Sequence, residues 1–514
     1  MSRTNNSINN SIWGIFSKIA TIIMPFLVRA VIIQKLGVEY LGLNSLFTSI
    51  ISVLNLTELG IGSAIVYHMY KPIANNDSNA VSALLKLYKY IYRIIGLVIV
   101  VIGILIMPML PKLINGAVPP DINLYVLFGV YLLDIVVSYC LFGYRTSLLY
   151  ACQRNDIVSK MSVLFHFLMY ISQIVVLLLF KNYYAYIIFL PISSLFINVF
   201  CAYFSKKMFP EYICEGVVSK EQKKDIKKRV IGLSMNKIAY ASRNAFDSII
   251  LSTFLGLATV AIYNNYYYII SSVAAILKIL MTSITASIGN SLATESAEKN
   301  EKDLFIVSFL YTFISCACSC CIISVFQPFM KLWVGEGLLF GNAIMVLIVF
   351  YFMIDKMENV IGVYYDAAGM WWNGRYKGLI EAVVNLSLDI LLGYLFGVVG
   401  VIIATIISIL FVSIPLSSFY MYKCYFSKSA KKYILMQFFN LFICFCIIFA
   451  CYFITSMIPF GNNLAITVLL LLARFLIATA ISLLLFWVIF HRTNIYKTSV
   501  EWVKPRIKLF FRKG

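Results

Sequence analysis

The sequence predicts an all-α polytopic membrane protein of about fourteen transmembrane helices, and three observations carry that expectation. Of its 514 residues, 61% are hydrophobic and only 12% charged, with a mean hydropathy of +0.89; a soluble domain carries about twice that charge. The apolar residues fall in runs of ~20 or more, the length at which a helix crosses a bilayer. Lysine and arginine then concentrate in alternate connections, as they do on the cytoplasmic side of a membrane.

The runs lie near 11–34, 40–67, 90–110, 122–150, 157–180, 184–205, 230–255, 258–290, 304–333, 341–369, 378–397, 399–422, 433–458 and 464–490. Arg3 precedes the first. Lys71, Lys86, Lys89 and Arg93 separate the second from the third, and Arg145, Arg154 and Lys160 the fourth from the fifth. Lys206, Lys207 and the run from Lys220 to Arg229 precede the seventh; Lys299 and Lys302 precede the ninth. Arg375 and Lys377 precede the eleventh, Lys423, Lys428, Lys431 and Lys432 the thirteenth, and a basic tail follows the fourteenth. Those connections hold 31 basic residues, and the opposite ones hold four: Lys35, Lys112, Lys181 and Lys331. The other seven of the 42 lie within spans. One helix more or fewer would scramble the alternation, so both termini are expected in the cytoplasm.

The net charge of +20 therefore calls for no nucleic acid; topology and anionic lipid account for it. The basic run at 220–229 reads either as a solvated helix entry or as a lipid-headgroup contact. The twelve cysteines sit mostly in apolar runs and read as small buried hydrophobes. No metal and no cofactor are expected.

A shift of 219 residues places Lys18-Ile19-Ala20 on Lys237-Ile238-Ala239, Leu36-Gly37 on Leu255-Gly256, and Ile50-Ile51-Ser52 on Ile269-Ile270-Ser271. With Ile12 on Ile231 this makes nine identities over 42 gapless positions. Six spans separate the copies, so the halves share one orientation, as in transporters built from parallel repeats. The expected organisation is a six-helix lobe at 1–215, a second at 216–427, an appended helix pair at 428–492 and a basic cytoplasmic tail at 493–514. Two such lobes facing each other across a central cavity would work by alternating access.

Ionisable side chains inside the membrane cost roughly 2.5–3.5 kcal/mol each and mark wet cavities or partners. Lys18, Arg29, Lys237, Arg243, Lys278, Lys356 and Arg474 are the embedded bases. Lys18 and Arg29 are eleven residues apart, hence about 20° apart on the helical wheel, and form one basic stripe. Cations from both lobes suit an anionic substrate, above all a diphosphate. Against this, Lys18 and Arg29 could snorkel to opposite interfaces, and Arg243 with Asp247 could be a self-satisfied i,i+4 pair. Glu58, Asp134, Asp247, Asp355, Glu358, Asp366 and Asp389 lie within or near spans. Glu58, Asp134, Asp247 and Asp355 are the candidates for coupling to Na⁺ or H⁺; charge balance for the embedded bases is the other reading.

Leu36-Gly37-Val38-Glu39-Tyr40-Leu41-Gly42-Leu43, the stretch from Leu54 to Gly62, and Tyr70-Lys71-Pro72-Ile73-Ala74 together resemble the Wzx-type polysaccharide repeat-unit flippases. These form the polysaccharide biosynthesis family of the multidrug/oligosaccharidyl-lipid/polysaccharide exporter superfamily. The motif match covers about residues 10–95, and the 6+6+2 helix plan extends it over the chain. The resemblance implies a bacterial inner-membrane protein that flips an undecaprenyl-diphosphate-linked oligosaccharide, an O-antigen, capsule or related repeat unit, to the outer face. It implies a glycan polymerase and chain-length machinery as partners. Related lipid II flippases carry diphosphate-binding cations in the first, second and eighth helices. Lys18, Arg29 and Lys278 match that distribution and Glu58 departs from it. In those relatives the last two helices form a lipid-tail groove, which would give Arg474 a role.

A drug/cation antiporter of the same superfamily is the alternative; it usually has twelve spans and an acid-dominated cavity. A membrane enzyme would need a sizeable catalytic outer loop, and the longest outer connection here is about a dozen residues.

Overall fold

The computed structural model describes residues 21–58, 60–370, 372–461 and 463–512. Side chains are described for all of these except residues 57, 236, 237, 240–242, 244 and 506–512. Lys18 lies outside the described residues, as does the side chain of Lys237.

The described chain is α-helical, and each of the fourteen apolar runs falls largely on helix over its described residues. In order the helices are α1 (21–35), α2 (Val38–Leu54), α3 (Ile61–Ala74), α4 (Ser78–Ile106), α5 (Leu124–Cys140) and α6 (Gly143–Ala151). Then come α7 (Asn155–Phe180), α8 (Tyr183–Ile187), α9 (Phe189–Met208), α10 (Lys220–Leu255), α11 (Leu257–Thr294) and α12 (Ala297–Val334). Last are α13 (Asn342–Ala367), α14 (Lys377–Ser408), α15 (Ile414–Met421), α16 (Lys431–Ser456), α17 (Leu464–Phe490) and α18 (Asn494–Arg512). Among the described residues, eight helical stretches are long and apolar enough to cross a membrane, or nine with the α5–α6 pair, bent by 49°. That count takes 377–426 as one stretch of 50 residues. Two of the remaining runs fall short for local reasons: the second is broken after the 17-residue α2, and α13 carries Asp355, Lys356 and Glu358.

Polar caps start the helices. Asp77, Asn123, Asn182, Ser219, Ser296 and Asn463 each accept a backbone N–H from the first turn that follows, satisfying donors that lipid could not. The break between α5 and α6 is compensated from the other side, at its carbonyls. Phe142 takes a positive φ of 62°, and Asn198 donates to the carbonyls of Val137 and Ser138 at 3.2 and 3.4 Å.

The chain forms two compact units, Met1–Ala261 and Ile262–Gly514. The division at residues 215/216 is drawn from the repeat and not from packing, and it stands as a proposal. In the first unit, α10 packs on α2 and α3, and α4, α5, α6 and α9 pack around them. The glycine shared by the repeat has a backbone reason. Gly37 separates α1 from α2 at φ +124°, and Gly256 separates α10 from α11 at φ +84°, both with extended ψ. A side chain is strained at either position, and a Cβ on Gly256 would stand 2.6 Å from the Asn115 carbonyl oxygen.

In the second unit α12 is central: it packs on α13, α16, α17 and α18, and Trp502 of α18 donates its indole N–H to Asp303 at 3.0 Å. The 493–514 tail is thus helical over its described part and held to the unit. The eleventh and twelfth runs meet inside α14 at Gly397, whose φ of 58° and ψ of −134° are not helical. Gly400 permits the bend, since a Cβ there would lie 1.9 Å from the Leu392 carbonyl oxygen.

Candidate functional site

In the first unit the predicted residues lie among tyrosines. Arg29 is half-buried on α1, near enough to Tyr170 and Tyr186 to act on both electrostatically. Glu58 accepts from the Tyr92 hydroxyl at 3.1 Å, and the Tyr88 and Tyr92 rings stand 4.1 Å apart. Asp134, on α5, lies near Ser194, and its Oδ1 is buried without a hydrogen-bond partner. One turn away, Tyr131 donates to Asn44 at 2.5 Å. Arg243 and Asp247 are both buried on one face of α10.

In the second unit Lys278 is exposed on α11. Lys356 is buried and pairs with its neighbour Asp355 at 2.7 Å. Arg474 turns inward from α17: it donates to the Ser324 carbonyl at 3.3 Å and to that of Ile458, with its guanidinium over the Phe460 ring. Thus Lys356 and Asp355 are brought together, and Arg474 sits on backbone carbonyls.

A further polar cluster in the second unit includes Lys377, which the alternation of charge assigns to a connection. Lys377, Glu381, Asn385 and Asp389 recur every fourth residue, so they share one face of α14. All four are buried, at 8%, 1%, 0% and 0% exposure. The Lys377 ammonium donates to Ser417 at 2.7 Å, lies 3.8 Å from Glu358 of α13, and stands over the Tyr365 ring. Ser413 donates to the same Glu358 carboxylate at 2.9 Å. Further along, Asn385 donates to the Thr405 hydroxyl at 3.3 Å, and the buried Ser408 donates to the Thr405 carbonyl at 2.9 Å. Twelve residues of helix span about 18 Å, more than half of a ~30 Å hydrocarbon core. Counting charges into loops hides this stripe; the four-residue period of polar side chains within an apolar run was the available signal.

Chemically the stripe runs from an ammonium–carboxylate pair, through a buried acid and an amide, to a fully buried carboxylate. Carboxylate, amide and hydroxyl oxygens at membrane depth can hold a monovalent cation or exchange a proton. All twelve cysteines are free thiols, and among the described residues no group of three or more His, Cys, Asp or Glu side chains has a geometry that could hold a metal ion.

No family model matches the sequence, and no curated protein matches it. Solved structures do match the fold. The lipid II flippase MurJ, in an inward closed conformation, superposes with a TM-score of 0.64 at 13% identity, over 94% of this chain and 99% of that one. An inward-facing multidrug resistance MATE family transporter of the MOP superfamily gives 0.58 at 14% identity, over 82% and 95%. The eukaryotic MATE transporter AtDTX14 gives 0.58 at 12%, over 84% and 99%. The chain is therefore a multi-pass membrane protein with the fold of MOP-superfamily transporters, and these neighbours are transporters and not enzymes.

Proposed function

We propose that this protein is a Wzx-type flippase that moves an undecaprenyl-diphosphate-linked oligosaccharide across the bacterial inner membrane by alternating access, with both termini in the cytoplasm. The observation that carries the reading is the extent of its fold. The lipid flippase neighbour covers 94% of this chain, against 82% and 84% for the two MATE transporters above, and α16 and α17 exceed a twelve-helix plan. The candidate diphosphate ligands are Lys18, Arg29, Lys237, Arg243, Lys278 and Lys356, because fixed cations out of bulk water bind such anions strongly. Arg474 belongs to the helix pair proposed to hold the lipid tail. Na⁺ or H⁺ is the proposed coupling ion, and glycan polymerase and chain-length machinery the proposed partners. Glu58, Asp134, Asp247 and Asp355 remain coupling candidates, and Asp389 joins them on its burial and its place on the polar stripe.

The test is a deletion strain. Loss of the gene leaves lipid-linked repeat units on the cytoplasmic face, and the wild-type gene restores surface glycan. Neutralising Arg29 or Lys278 lowers that restoration at equal protein level. Full surface glycan in the deletion strain overturns the reading.

One observation favours the drug/cation antiporter instead: the acids Asp355, Glu358, Glu381 and Asp389 gather in α13 and α14 of the second unit. That reading expects altered accumulation of cationic drugs in the same strain, with surface glycan unchanged.

A further inference from the structure

We propose that the first unit carries a binding site for the phosphate headgroup of an anionic phospholipid, separate from every residue assigned to transport above. The site is a pocket of about 380 Å³ walled by α4, the segment that follows α9, and the first turn of α10. Four cations line it, Lys86, Lys89, Arg93 and Lys223, and no acidic side chain does. Lys86, Lys89 and Arg93 stand at i, i+3 and i+7, so they form one stripe about 10 Å long on α4.

The pocket is built and not incidental. Gly216, at φ +87°, brings the facing segment flush against α4; a Cβ there would lie 3.2 Å from the Ala83 Cβ. The buried Arg145 holds the same segment by donating to the Tyr212 carbonyl at 3.0 Å, and the Phe209 and Tyr212 rings stack. Lys89 is set over the Tyr144 ring. On the α10 side the basic run divides its work. His68 meets Asp225 at 3.5 Å and Arg229 stacks on Tyr67 at 3.4 Å. Those contacts fix the helix entry and leave Lys223 on the pocket wall.

The rest of the lining selects a lipid over a soluble anion. Val217 is 81% exposed and Tyr90 65%, beside Leu87 and Val218. An exposed valine and tyrosine next to four cations suit the boundary between headgroups and acyl chains, where aromatic rings anchor and each cation gains about 1 kcal/mol from anionic lipid. The charge alternation puts this end of α4 on the side where such lipid is expected.

The experiment uses the purified full-length protein in neutral detergent. Thermal unfolding is followed while dioctanoyl phosphatidylglycerol is titrated in, with dioctanoyl phosphatidylcholine and inorganic phosphate as parallel arms. Phosphatidylglycerol raises the unfolding temperature saturably, and the other two do not. The double variant Lys86→Gln, Arg93→Gln binds about 30-fold more weakly, and Lys223→Gln, an exposed single change usable if the double variant does not fold, about fivefold more weakly. The proposal is overturned by equal stabilisation from phosphatidylcholine or from inorganic phosphate, by no stabilisation from phosphatidylglycerol, or by unchanged affinity in the folded variants.

Discussion

Helices α14 and α17 use the same geometry for opposite ends. Each buries a stripe of every fourth residue, α14 along its first half, and presents apolar side chains on its outward face. On α14 the stripe reads Lys377, Glu381, Asn385, Asp389 and Gly393; on α17 it reads Arg474, Ala478, Ser482, Phe486 and Phe490. The outward faces are alike: Val383, Leu391 and Leu395 on one, Leu469, Leu472 and Leu476 on the other, all more than half exposed. The difference lies wholly in the buried stripe. Four polar groups in succession make the buried stripe of α14 polar, whereas one arginine followed by Ala, Ser and two Phe makes that of α17 a packing surface with a single pinned end. Both pass a hydropathy test, which sums over faces that the fold keeps apart.

Substitutions can break this contrast. The largest expected effect is that of Lys377→Met, which strands Glu358 without its cation. Removing one partner of a buried pair costs about 3–5 kcal/mol, visible as a lower thermal unfolding temperature in detergent, and Glu358→Gln in the same chain should recover most of it. Next comes Asp389→Asn, a near-isosteric change. It should keep the protein folded yet cut transport at least ~10-fold, and erase its dependence on pH or Na⁺, if the buried carboxylate carries the coupling ion. Retained ion dependence would remove Asp389 from the path.

Arg474→Met takes the donor from the Ser324 and Ile458 carbonyls and should cost about 1–3 kcal/mol in stability, leaving the ion dependence of transport intact. Loss of ion dependence in this variant would mean that α17 also handles charge. The smallest effect belongs to Leu469→Ala on the outward face of α17. It should fall within about 0.5 kcal/mol of wild type, and a cost as large as that of Lys377→Met would erase the distinction between buried stripe and outer face.

Much of the fold could be read from residue order, and the reasons are local. Over their described residues the apolar runs fall on helices because a chain in lipid must satisfy its own backbone. Gly37 and Gly256, matched by the repeat, share a positive φ at equivalent helix junctions. The site was less legible. Lys377 reads as a loop residue and Glu381 as part of the same helix entry, because charge at a helix end looks the same whether it meets water or turns inward. The basic run at 220–229 offered two readings that sequence could not separate, since Lys223, Asp225 and Arg229 differ only in what faces them.

The sequence by itself determined that this chain enters a membrane as helices and roughly where the apolar stretch of each one lies, because apolar length, caps and glycines act within a few residues. Tertiary structure alone decided which face of each helix meets protein. Lys377 finds Ser417 forty residues on, and Arg474 finds Ser324 across 150; contacts at such separations depend on how helices pack, which no local pattern encodes. Hence the lipid-facing leucines and the buried polar stripe became distinguishable only once the helices were placed side by side.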